Sequence, residues 1–112
     1  MVEFSEQARI DLEKIFDGLL NWRTPNGQYY LDNNEVINYH NDILDVCENL
    51  DKLTYHVETK YPDHSQFGDY VYTYRRNMKT TWYIIYNMDM DMDKIFIEKI
   101  MNNYLTISAL TQ

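Results

Sequence analysis

The sequence predicts an α+β domain in which an N-terminal strand and a helical hairpin pack on an antiparallel meander sheet of three to four strands. Three observations predict it. Residues 69–100 hold three segments rich in aromatic and β-branched residues, separated by short polar breaks. Two earlier stretches carry apolar residues at helical spacing. The 112 residues suit a single domain, 1–112, large enough to bury one core without cross-links.

The elements follow in order. Val2 and Phe4 alternate with Glu3, which predicts a short strand at an edge of the sheet. Ser5 is a helix N-cap, and Glu6 places an acid in the first turn, where the helix dipole favours it. Ala8, Leu12, Ile15, Phe16 and Leu19 then define an apolar stripe that ends near residues 18–21. Thr24-Pro25-Asn26-Gly27 is turn chemistry, and Trp22, Tyr29 and Tyr30 are placed to anchor that connection. Asp32 with Glu35 makes a capping box. Val36, Ile37, His40, Ile43, Leu44, Cys47, Leu50 and Leu53 trace one face of a second helix, about 21 residues and roughly 30 Å long.

Residues 55–68 read as irregular, with a turn at Tyr61-Pro62-Asp63. Strands are then expected at 70–75, 81–88 and 94–100, the middle one central because it is the most apolar. On the last strand, period-two alternation puts Ile95 and Ile97 on one face and Phe96, Glu98 and Ile100 on the other. Leu12, Ile15, Phe16, Ile43, Leu44, Cys47, Ile84 and Ile97 are the expected core. The last residues, MNNYLTISALTQ, carry no assignable pattern.

Eighteen acidic residues against ten basic give a net charge of −8, which argues against broad charge-driven binding to nucleic acid, so direct DNA binding is not expected. A single cysteine, Cys47, excludes an intrachain disulfide and fits a reducing compartment. The start of the chain lacks signal-peptide character, and no apolar run reaches membrane-span length, so a cytoplasmic protein away from the membrane is expected.

The opening VEFSEQARIDLEKI, the long second helix, the strand leading to Arg75 and the strand TWYIIY together resemble the RelE/ParE toxin superfamily of bacterial type II toxin–antitoxin systems. The resemblance runs from Val2 to about Tyr104 and rests on pattern and order rather than on one sharp motif. It implies a cognate antitoxin protein as partner. It also implies one of two activities: binding of DNA gyrase by ParE-like members, or messenger RNA cleavage in the ribosome by RelE-like members. The cleaving members use cations on the sheet and near the C-terminus, and those positions here are Val71, Thr73 and Tyr83, followed by Asn102 and Asn103. Transferring a phosphate needs cations to stabilise its developing charge. The expectation is therefore a toxin-like component that acts by protein binding, ParE-like, with RelE-like cleavage or a non-toxic interaction module as alternatives.

Arg75, Arg76 and Lys79 form the one local basic cluster, and with Tyr104 they are the candidate catalytic set; a solvated hairpin held by nearby carboxylates accounts equally for the three cations. Trp22, Tyr29 and Tyr30 are the candidate partner-binding residues. Asp89, Asp91 and Asp93 alternate with methionines, but Lys94 and Ile100 stand where a calcium loop needs Gly and Glu, so a polar hairpin loop is expected. The methionines there offer an adaptable contact surface. His40 and Cys47 share a helical face and are expected in the core, and no histidine pair has zinc spacing. No metal or cofactor is expected.

Overall fold

A computed structural model of the chain describes residues 1–76 and 80–103. Its elements are β1 (Val2–Phe4), α1 (Glu6–Leu20), α2 (Asn33–Glu48), β2 (Val57–Glu58), α3 (Pro62–Ser65), β3 (Tyr70–Arg75), β4 (Thr81–Asp89) and β5 (Lys94–Asn102), with a 3-10 turn at Leu50–Lys52. The class is α+β.

One mixed sheet runs in the order β1-β5-β4-β3-β2. β3 pairs antiparallel with β4, and β4 with β5. β1 is parallel to β5, matching Val2 to Ile95 and Phe4 to Ile97. The sheet thus has five strands rather than three to four and is not purely antiparallel. The fifth strand is Val57–Glu58, inside the segment expected to be irregular. It is two residues long, too short to leave a period-two signal.

Both helices begin as the side chains dictate. Ser5 Oγ accepts from Ala8 N, and Asp32 and Glu35 close a reciprocal capping box. Both end at an asparagine whose backbone N–H returns to the preceding turn, Asn21 to Asp17 and Asn49 to Asp45. Asn49 ends α2 at Glu48, so the second helix has 16 residues and stops before Leu50 and Leu53.

The helices cover one sheet face. Ala8, Ile15, Leu19, Val36, Tyr39, Ile43, Cys47 and Leu50 meet Trp82, Ile84, Tyr86, Ile95, Ile97 and Ile100 there. Of the expected core, Ile15, Ile43, Cys47, Ile84 and Ile97 are buried, whereas Leu12 and Phe16 are half-buried at its margin and Leu44 is half-buried. Tyr39 takes the buried place in α2, and Ile37 lies exposed. A tyrosine enters this core because its hydroxyl accepts the Trp82 indole N–H at 2.9 Å.

Ile100 faces the helices, contrary to strict alternation. The β4–β5 register matches Ile85 to Lys99 and Tyr86 to Ile97, which leaves Glu98 as an extra residue on β5. That bulge resets the alternation, so Ile95, Ile97 and Ile100 all reach the core.

Candidate functional site

The sheet face away from the helices carries the candidate site. On β3, Tyr70, Tyr72 and Tyr74 pack toward the core, so Val71, Thr73 and Arg75 point the other way. Register puts Thr73 beside Tyr83 and Val71 beside Ile85. Val71, Thr73 and Tyr83 thus share one surface, and Arg75 sits at its end, exposed.

Residues 59–69 lie over part of this surface. Pro62 starts α3 without needing a hydrogen-bond donor, and Tyr61 O accepts from His64 N and Ser65 N. Thr59 donates its backbone N–H to Asp69 O at 2.9 Å and its hydroxyl to Gly68 O at 3.0 Å. The His64 ring lies 4.6 Å from that of Tyr83, tilted by 39°. Tyr61 stands edge-on to His64 at 5.9 Å. Gly68 sits on Ile85, where a Cβ would come within 3.0 Å of Ile85 Cγ2 and Tyr86 O. The surface therefore offers stacked rings and one guanidinium, groups suited to planar or anionic partners.

The basic cluster is divided. Arg76 turns to α2, where it pairs with Asp42 and places its guanidinium carbon 4.6 Å from the Tyr39 ring centre. Arg75 and Arg76 thus serve different sides of the sheet. Lys79 and Tyr104 lie outside the described residues.

Trp22, Tyr29 and Tyr30 fold onto their own turn. Gly27, at φ +82°, closes it by donating to Thr24 O at 2.9 Å. Trp22 and Tyr30 stack at 4.7 Å, while Arg23 lies over the Tyr29 ring and reaches its hydroxyl at 2.7 Å. Tyr29 and Tyr30 remain largely exposed and border an open groove with Leu20, Leu31, Asp32 and Glu35.

Two polar arrangements escaped the sequence reading. Asp11 is buried on α1; its carboxylate accepts from Ile100 N and Lys99 Nζ, each at 3.0 Å. Its signal was an acid within the apolar stripe, between Ala8 and Ile15. His56 Nδ1 lies 2.6 Å from the Tyr86 hydroxyl, across 30 residues, and no local pattern announces such a pair. Burial, and then the neighbouring Tyr70, push the Tyr86 hydroxyl up to about 12. Burial and the nearby Glu48 push the Cys47 thiol up to about 12, which leaves it an unreactive core group at neutral pH.

In the β4–β5 turn, Asp89 Oδ1 accepts from the backbone of Asp91 and Met92, and Asp93 takes a positive φ of 51°. Among the described residues, no group of three or more His, Cys, Asp and Glu side chains is placed to hold a metal ion. Among them also, no helix is long and apolar enough to cross a membrane. Compared with family models, curated proteins and solved structures, the chain matches none.

Proposed function

We propose that this chain is a toxin-like component of a type II toxin–antitoxin pair, of the RelE/ParE kind, and that it acts by binding protein. The order strand, helix, helix, then, after the short β2 and α3, three paired strands supports the family reading. The observation that carries the protein-binding choice is the chemistry of the sheet face away from the helices, which residues 59–69 cover in part. Val71, Thr73 and Tyr83 share that face, and none is a cation. Arg76, which could have joined Arg75 there, is engaged by Asp42 and Tyr39. A surface that cleaves RNA must stabilise a doubly charged phosphate in transition; among the described residues Lys99 is held by Asp11, and the exposed Arg75 alone gives little of that stabilisation. The target would be a protein such as DNA gyrase, and the antitoxin a small, separately encoded chain burying more than about 1,000 Å².

Two measurements test this. The chain is expressed alone and together with the product of the adjacent small reading frame. Growth arrest relieved by that product, with the two proteins purifying together, is the expected result. An unchanged growth rate and no co-purifying partner would sink the toxin reading. The second measurement separates the activities: purified protein is added to programmed ribosomes. Strong cleavage lost in Arg75→Ala would replace the protein-binding reading with the ribonuclease.

A further inference from the structure

The two-residue β2 pairs with β3 only at Tyr70 and Val71. Among the described residues, no strand pairs with that outer edge of β3 from Tyr72 to Arg75. Thr59 donates to Asp69 O from the β2 side. Backbone groups alternate between the two edges of a strand, so Val71, Thr73 and Arg75 present theirs on the same side as Asp69 O. β2 takes Val71. Thr73 and Arg75 are left to offer one N–H and one C=O each, at the spacing of a ladder.

We propose that this edge accepts, as an added antiparallel strand, an extended segment of another protein. The segment carries an aliphatic side chain, a lysine or arginine two residues before it, and an acid immediately before that cation. The inference does not rest on the toxin reading: the growth experiment can fail while strand binding is seen, and the reverse.

The side chains beside the edge select that chemistry. Backbone pairing gives affinity, and the pockets for alternate side chains give specificity. On the helix side, Tyr72 borders a groove of about 230 Å³ lined also by Val46, Leu50, Leu53, Asp45 and Asn49. The residue opposite Tyr72 on an added strand points into this mostly apolar groove, which suits an aliphatic group. Arg76, four residues beyond Tyr72, reaches Asp42, one turn before Asp45 on α2. The position opposite Tyr74 therefore lies between the two, and the exposed Asp45 favours a cation there. On the other face Arg75 is exposed, and the residue opposite it is best an acid. A second copy fits less well, because it would bring the same acidic rim, on a chain of net charge −8, against this one.

The test uses the folded full chain and a capped synthetic peptide, threonine–glutamate–lysine–threonine–leucine. Amide spectra should show the Thr73 and Arg75 N–H groups shifting together, with a Kd of about 1 mM or tighter and slower amide exchange at both. Exchanging the lysine and leucine of the peptide should weaken binding by about fivefold or more, since the cation then meets the groove. Proline is tolerated on an edge strand where its N–H would face solvent. Thr73→Pro should therefore fold and bind about tenfold more weakly than Thr73→Ala, which removes only the side chain. If Thr73→Pro does not fold, the wild-type amide shifts decide. The proposal is overturned if Thr73 and Arg75 do not respond to the peptide, if the two peptides bind alike, or if folded Thr73→Pro binds as tightly as Thr73→Ala. It is also overturned if sedimentation shows a dimer of the chain alone with both amides already protected, which would assign the edge to a second copy.

Discussion

The Asp11 carboxylate lies 3.0 Å from the backbone nitrogen of Ile100, 89 residues away in sequence. β1 pairs with β5 only from Ile95 to Ile97, and Ser5 takes the Ile97 and Glu98 carbonyls, so beyond Glu98 no strand pairs with this edge of β5. α1 turns away from β1 over the sheet and supplies, through Asp11, the acceptor that a longer β1 would have supplied. The same carboxylate takes Lys99 Nζ and Gln7 Nε2, so one buried charge is compensated by three donors.

Replacing Asp11 with Ala removes both carboxylate oxygens, and the Ile100 N–H, the Lys99 ammonium and the Gln7 amide each lose this acceptor. A loss of about 2–4 kcal/mol is expected. Asp11→Asn keeps an oxygen for Ile100 and should lose less. Urea unfolding of both variants measures it, and equal losses would show that the Lys99 pairing dominates.

Tyr39→Phe keeps the ring under Arg76 but leaves the buried Trp82 indole N–H without its acceptor. The expected cost is about 1–3 kcal/mol, seen as a lower midpoint of thermal unfolding with unchanged circular dichroism. An unchanged midpoint would mean that the indole finds another acceptor.

Gly68→Ala adds a Cβ within 3.0 Å of Ile85 Cγ2 and Tyr86 O. The carbonyl belongs to a paired central strand and cannot yield, so residues 59–69 must lift from the sheet. A loss of about 1–3 kcal/mol is expected, with faster amide exchange in that segment. Exchange rates matching the wild type would contradict this.

Stability should fall at high pH in two overlapping windows. The Cys47 thiol is raised from 9.0 to about 12 in the folded chain, and the Tyr86 hydroxyl from 10.0 to about 12. The folded state therefore holds these protons more tightly than the unfolded state. Their stabilisation is complete below pH 9 and is lost as pH rises toward 12. Denaturant titrations from pH 8 to 11 should show a decline beginning near 9. In Cys47→Ala the decline should begin about one unit higher, and an onset unmoved by that change would remove the thiol as its cause.

Much of the fold is written locally. Ser5, Asp32 and Glu35 mark the helix starts because capping needs only residues within one turn of each other. The three long strands appear in the sequence because each repeats its pattern over six to nine residues. The Glu98 bulge breaks that pattern without a local sign, so simple alternation misplaces Ile100. The candidate site was legible in part: Arg75 and Arg76 are adjacent in sequence, and nothing in that pair says that Arg76 turns to Asp42.

The sequence by itself determined the types of the longer elements, the helix caps and the apolar central strand, since these depend on neighbours within a few residues, but not the short β2 and α3. Only the tertiary structure decided that β1 lies parallel on β5, that Asp11 meets Ile100 and that His56 meets Tyr86. Those contacts join residues 30 to more than 90 positions apart, and they form because burial leaves each polar group in need of a partner that only the folded chain brings within reach.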